Sequence, residues 1–375
     1  MKKLSFFTFL PVLFINPISA QLDNSAFYDE ITIAPNTKNK LYLGINNLNF
    51  AKNNEYFNKT ADGYTLFGFQ LNPRLIYYPS GNVRIDGGVF LWKDFGNERF
   101  SQIAPTFTIT IKKNDLRFLF GNLTGSLNHR LIEPIYDFEK IMVDRLEHGA
   151  QLILKKKWLY FDAWIDWEKM IYQGSPFKEE VSGGLSTNFI LYNKDESLTF
   201  EIPLHFFAYH KGGQIDAVAD TIPLLSVYNT AGGFSVDKRL GSKVFYDIRT
   251  DNYFVYYKDF SFDKRQQFVD GFGIYLNLSL KTKFLTLMLS YWQGKDYIAE
   301  YGGKLYQSVS SKDQSYFEDL RQLLFLRFLY DLKITDNVYL IARFEPFYDF
   351  VNDKLEFSHG LYVTYKQDIF LKKIK

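Results

Sequence analysis

The chain has 375 residues, no cysteine, and an aromatic content of 19%, mainly Phe and Tyr. The missing cysteines exclude disulfide frameworks, thiolate metal sites and cysteine nucleophiles. Removing Lys2 and Lys3 from the 44 basic residues leaves 42, which balance the 42 acidic ones. No basic excess therefore points to nucleic acid.

Residues 1–20 read as an export signal. Lys2 and Lys3 open it, an apolar stretch runs from Leu4 to about Ile15, and Ile18-Ser19-Ala20 offers a cleavage site. Pro11, Asn16 and Pro17 interrupt the stretch, and it is shorter than the ~20 residues of a spanning helix. Residues 21–40 are then expected as a short periplasmic N-terminal segment, too short for a plug domain. The remainder, 41–375, reads as one domain.

From residue 41 onward the dominant signal is alternation with period two. In 83–92, Val83, Ile85, Val89 and Leu91 share one face, and Arg84, Asp86, Phe90 and Trp92 the other. In 198–208, Leu198, Phe200, Ile202, Leu204 and Phe206 alternate with Thr199, Glu201, Pro203, His205 and Phe207. A helix cannot gather such residues on one stripe. Strands are expected near 41–50, 64–78, 82–93, 99–112, 116–123, 146–156, 158–168 and 179–192. The second half adds 197–210, 225–238, 242–258, 268–281, 284–295, 318–334, 337–350 and 354–370. Most can cross a bilayer, which takes about 9–11 tilted residues.

The connections sort by parity. Tight polar turns such as Pro79-Ser80-Gly81 and Lys113-Asn114-Asp115 follow even strands, and longer segments follow most odd ones. Residues 94–98 and 351–353 are short where long ones are expected. This layout predicts an all-β fold: a closed antiparallel transmembrane β-barrel of about 16 strands, with 14 as the lower alternative, and both termini periplasmic. The abundant Phe and Tyr suit the two water–lipid interfaces. Localisation to the outer membrane of a Gram-negative bacterium follows.

The strand count and loop parity resemble the general 16-stranded porins, and the aromatic-rich text resembles outer-membrane barrels of the Bacteroidota. Ser358, Gly360, Val363 and Tyr365 resemble the C-terminal insertion signal read by the barrel-assembly machinery, although the chain continues to Lys375. Segment 124–145 falls where porins carry a loop folded into the lumen. By that resemblance Glu133, Asp137 and Glu139 would be the acidic side of a constriction; an external loop is the other reading. Alternation places Arg74, Arg84, Arg117, Arg249, Arg321, Arg327 and Arg343 on the lumen face. Asp86, Asp162, Asp166, Glu201, Asp247, Asp331 and Glu345 share it. Charge at mid-depth on the lipid face costs about 2–4 kcal/mol for Arg or Lys. These residues either line a pore or pair across it.

The five histidines show no ligand spacing, and no Ser/His/acid set can be chosen, so no enzyme, cofactor or metal is expected. The leading functional expectation is a porin-like channel for passive diffusion of small polar solutes. The alternative is a non-conducting scaffold or partner subunit of an outer-membrane transport or secretion complex. Phe90, Trp92, Tyr160, Trp164, Phe207 and Tyr275, bulky residues on the lumen face, motivate it. Expected partners are outer-membrane lipid, the assembly machinery during insertion, and a second copy or complex subunit.

Overall fold

A computed structural model describes residues 22–374 except 195–196, 214–223 and 265. The expected signal peptide, 1–20, lies outside the described residues. Eight strands make up the first half: β1 Lys40–Glu55, β2 Thr65–Ser80, β3 Val83–Asp94, β4 Gln102–Lys113, β5 Leu116–Asn122, β6 His148–Lys155, β7 Leu159–Lys169 and β8 Glu179–Lys194. The second half adds β9 Leu198–Gly212, β10 Leu225–Arg239, β11 Phe245–Asp259, β12 Asp270–Thr282, β13 Thr286–Lys295, β14 Leu320–Thr335, β15 Val338–Asp349 and β16 Lys354–Lys373. Each pairs antiparallel with its neighbours in sequence, and β1 pairs with β16, closing the barrel. Closure leaves no unpaired strand edge, the condition for a sheet in hydrocarbon. No helix among the described residues is long and apolar enough to cross a membrane.

Alternation decides which way each side chain points. On β9, Glu201, His205, Phe207 and Tyr209 are buried inward, whereas Leu204 and Phe206 face outward and are exposed. The first and last strands run beyond their expected ends, to Glu55 and Lys373. Their register carries Lys40↔Lys373 through Glu55↔Phe357, so both long ends are spent on closing the sheet. Short turns gather at one end of the barrel and most long connections at the other.

The interior is packed. Leu131, Ile132, Ile135 and Tyr136 of the β5–β6 connection meet Tyr297, Tyr301, Leu305 and Tyr306 of the β13–β14 connection. Both sit among inward residues including Trp164, Phe207, Tyr257, Trp292, Phe325 and Phe347. The chain before β1 joins this filling. Ile31 and Ile33 pack against Ile76, Tyr78, Leu119 and Ile153. Phe27 packs with Leu48, Phe50, Phe138 and Tyr362, and Leu22 with Met288 and Leu329. Each large side chain buried in this way contributes roughly 1.5–3 kcal/mol, so the filling is part of the fold.

Candidate functional site

The β5–β6 connection is expected either as a constriction or as an external loop; it lies inside the barrel. A short 3-10 helix, Ser126–His129, ends at Arg130 in the left-handed region (φ 57°), and a single turn of α-helix follows at Lys140–Val143. The reversal delivers His129 into the barrel wall. Its Nδ1 lies 2.9 Å from Asp162 Oδ2 on β7, and its Nε2 lies 2.6 Å from Glu147 Oε2. The ring stacks on Trp164 at 3.5 Å between centroids. Glu147 is itself held, accepting the Ser126 backbone N–H at 2.7 Å and the Tyr136 hydroxyl at 2.8 Å. Gly125 makes room for that carboxylate, since a Cβ there would stand 2.4 Å from Glu147 Cδ. Burial alone lowers the His129 pKa, but Glu147 and Asp162 outweigh it and hold the ring up to about 10. With a carboxylate on each ring nitrogen, His129 is a fixed imidazolium. It pins the inserted segment and has no free nitrogen to activate a nucleophile.

Eight residues further on, the same segment builds a different environment. A cleft of about 60 Å³ opens between the β1–β2 and β13–β14 connections, lined among others by Lys52, Tyr64, Asp137, Glu139, Lys304 and Ser358. Lys52 Nζ donates to Glu139 Oε1 at 2.6 Å, Asn54 Nδ2 donates to the same oxygen at 2.7 Å, and the Tyr64 hydroxyl donates to Oε2. Burial opposes ionisation of Glu139, yet Lys52 and these donors keep its pKa lowered. Asp137 lacks such support. Burial, with the adjacent Glu139 charge, raises its pKa to about 7, although its Oδ1 accepts the Glu139 backbone N–H at 2.9 Å. Two carboxylates on one short stretch thus hold different protonation states near neutral pH, the pattern that separates a charge stabiliser from a proton acceptor. Lys304 Nζ, on the same cleft, lies 4.8 Å from the Tyr64 ring centre.

The residues selected by alternation face inward but do not form a basic wall opposite an acidic loop. Arg84 pairs with Asp86 at 2.6 Å and Asp368 at 3.2 Å, and Arg74 lies 3.9 Å from Asp86. Arg249 pairs with Asp251 at 2.8 Å and Glu201 at 3.5 Å. Arg321 pairs with Asp349 at 2.6 Å, and Arg343 Nη2 donates to Asn24 Oδ1 at 2.6 Å. Asp166 accepts the His148 backbone N–H at 2.6 Å. Arg117 and Asp247 stand half-buried towards the short-turn end. Among the described residues, Arg327 alone of the expected arginines pairs with an expected acidic residue of the inserted segment, binding Glu133 there and Glu345 of β15 at 3.0 Å. Of the three expected acidic residues, Glu133 and Glu139 are thus paired, and Asp137 is left at the cleft.

Sequence reasoning missed Lys52, Tyr64, Lys304 and the His129–Glu147 pair. Lys52 was within reach, because it alternates with Leu48 and Phe50 on the inward face of β1. The others lie in irregular connections, where no period reports direction.

Solved structures with the same fold include a loop L8 deletion mutant of OmpT, an outer membrane protein of Vibrio cholerae. It is 13% identical, with 87% of this chain and 99% of that chain covered and a TM-score of 0.52. The outer membrane protein OprD of Pseudomonas aeruginosa is 12% identical, with 92% and 98% covered and a TM-score of 0.51. The chain is an outer-membrane barrel of this architecture. Among curated proteins, none is similar in sequence. The family model described as Lipid A 3'-O-deacylase-type matches residues 33–374. That match overturns the expectation of a chain with no enzymatic role, which rested on the absence of a catalytic set at recognisable spacing. Residues brought together by two inserted connections leave no such spacing. From the segment before β1 to the end of β16, this chain belongs to the Lipid A 3'-O-deacylase-type family.

Proposed function

We propose that the protein hydrolyses an acyl ester of a glycolipid of the lipid A type at the long-loop end of the barrel. The observation that carries this reading is the cleft beside Asp137: a carboxylate titrating near 7 stands next to a carboxylate paired with Lys52, and Lys304 lines the same cleft. Ester hydrolysis needs a base to take a proton from the attacking water and a positive group near the oxygen that gains charge. Asp137 has a pKa suited to the first task, and Lys304 with Tyr64 suits the second. The family's deacylase description supports the same reaction class.

The test is release of free fatty acid from purified lipid A by the refolded protein in mixed micelles, followed by mass spectrometry. Activity is expected to rise with pH through about 7, since the base acts only when deprotonated. Asp137→Asn is expected to reduce the rate about 100-fold or more, within the ~10²–10⁴ range of general-base contributions. Equal rates for the two proteins would remove Asp137 from the mechanism, and no fatty acid from folded wild type would reject the reading.

Passive diffusion is the competing reading. The buried filling of the interior weighs against it. Stepwise conductance of wild-type protein in a planar bilayer would restore it.

A further inference from the structure

We infer that the outward face of β1 is a contact surface between two copies of this chain. From mid-strand to the long-loop end, that face carries Asn47, Asn49, Ala51, Asn53 and Glu55. The adjoining strands carry lipid-type residues at the same levels. Asn47 pairs with Leu71 of β2 and Tyr365 of β16, Asn49 with Phe69 and Val363, and Ala51 with Phe67 and Leu361. Short polar side chains therefore floor a furrow between two apolar ridges, with Phe67 and Leu361 about half exposed on either side. Polar groups facing hydrocarbon are costly, and side-chain amides in membranes commonly hydrogen-bond to a neighbouring protein.

The internal bonds do not exhaust these amides. Asn49 Nδ2 donates to Asn47 Oδ1 at 2.6 Å, and Asn47 Nδ2 donates to the Gln70 carbonyl at 2.8 Å. Each amide offers two N–H donors and a carbonyl with two lone pairs. Among the described contacts, the second N–H of Asn47 and the carbonyl of Asn49 retain capacity. A contrast on β11 sharpens the point. Asn252 and Thr250 also face outward, but Asn252 Nδ2 donates to Thr250 Oγ1 at 2.8 Å, Thr250 Oγ1 donates to the Asn277 carbonyl at 2.8 Å, and Asn252 Oδ1 accepts the Asn277 N–H at 3.3 Å. There every side-chain oxygen is engaged, with only an N–H of Asn252 to spare, whereas the Asn49 carbonyl on β1 accepts nothing among the described contacts; Phe254 and Ile248 bracket the β11 group.

A second copy is the occupant that matches the stripe. Two barrels in one membrane are related by an axis along its normal, which keeps every residue at the depth of its mate. Asn47 and Asn49 would then face their own counterparts, and amides are self-complementary as donors and acceptors. The same rotation exchanges the two sides of β1. The Phe67–Phe69–Leu71 ridge of one copy meets the Leu361–Val363–Tyr365 ridge of the other and screens the amides from lipid.

The cysteine-free chain allows a direct test. Asn49→Cys is expected to form a disulfide-linked dimer in outer membranes under mild oxidation, since equivalent positions at the axis fall within disulfide reach. Leu204→Cys, outward on the far wall, is expected to stay monomeric. Asn47→Leu/Asn49→Leu is expected to shift native mass in detergent from dimer to monomer while heat-modifiable migration, the mark of a folded barrel, persists. Crosslinking at both cysteine positions, at neither, or a dimer unchanged by the leucine pair would overturn the inference.

Discussion

Replacing His129 with leucine would strand Glu147 and Asp162 in the interior without their shared cation. Removing one partner of a buried ion pair costs about 3–5 kcal/mol, and here two carboxylates lose the same partner. The expected result is a folded barrel whose β5–β6 connection is cut by protease, with His129→Gln showing a smaller effect because its amide still donates to a carboxylate. Unchanged protease resistance of the leucine variant would show that apolar packing alone retains the segment. Linkage supplies a pH counterpart. The folded pKa of His129 is raised from 6.5 to about 10. Its stabilisation is therefore complete below about 6.5 and is lost as pH rises through about 10. Wild-type protein is expected to become protease-sensitive at this segment only in that alkaline window. His129 could be read as a member of the inserted segment, but its partners lie 18 and 33 residues away. No local pattern encodes such a meeting.

At the scale of elements, the inserted connections separate this barrel from a pore. Replacing residues 124–145 by a short Gly/Ser linker would remove Leu131, Ile132, Ile135 and Tyr136 from the interior core together with the cleft carboxylates. The shortened protein is expected to conduct in planar bilayers where wild type does not, provided heat-modifiable migration shows that it folds. A closed shortened barrel would mean that the N-terminal segment and the β13–β14 connection suffice to fill it. The last strand carries a separate proposal. Gly360 faces inward, and the Tyr362 ring lies where its Cβ would be, with the hydroxyl oxygen 2.3 Å from that position. Val363 and Tyr365 face outward and pair with Asn49 and Asn47 of β1. Replacing Gly360, Val363 and Tyr365 with Asp is therefore expected to block assembly after export, because it crowds the interior and places carboxylates on the lipid face along the closing seam. Normal levels of heat-modifiable triple mutant in the outer membrane would remove these residues from the insertion signal.

For the molecule as a whole, a closed sheet of 16 strands meets two demands at once. Export requires that no segment be apolar enough to halt in the inner membrane, and residence in the outer membrane requires an apolar outer face. Alternation satisfies both, and the same geometry leads us to propose that the short-turn end and both termini lie on the periplasmic side. Period two reports the face of every residue in a strand, so strand number, lipid and lumen faces, closure and the placement of Arg84, Arg249, Arg321 and Arg327 were all legible in the sequence. What fills the barrel was not. Phe90, Trp164, Phe207 and Tyr275 signalled a crowded lumen, but they did not name what packs on them. Irregular connections have no period, and their course depends on contacts between residues far apart in the chain. Only the tertiary structure decided that residues 123–147 turn inward, that His129 is clamped between two carboxylates, and that Glu139 rather than Asp137 takes the ion pair with Lys52. The physical reason is that direction along a strand is set by local geometry, whereas burial and charge in a loop are set by what the rest of the chain brings to it.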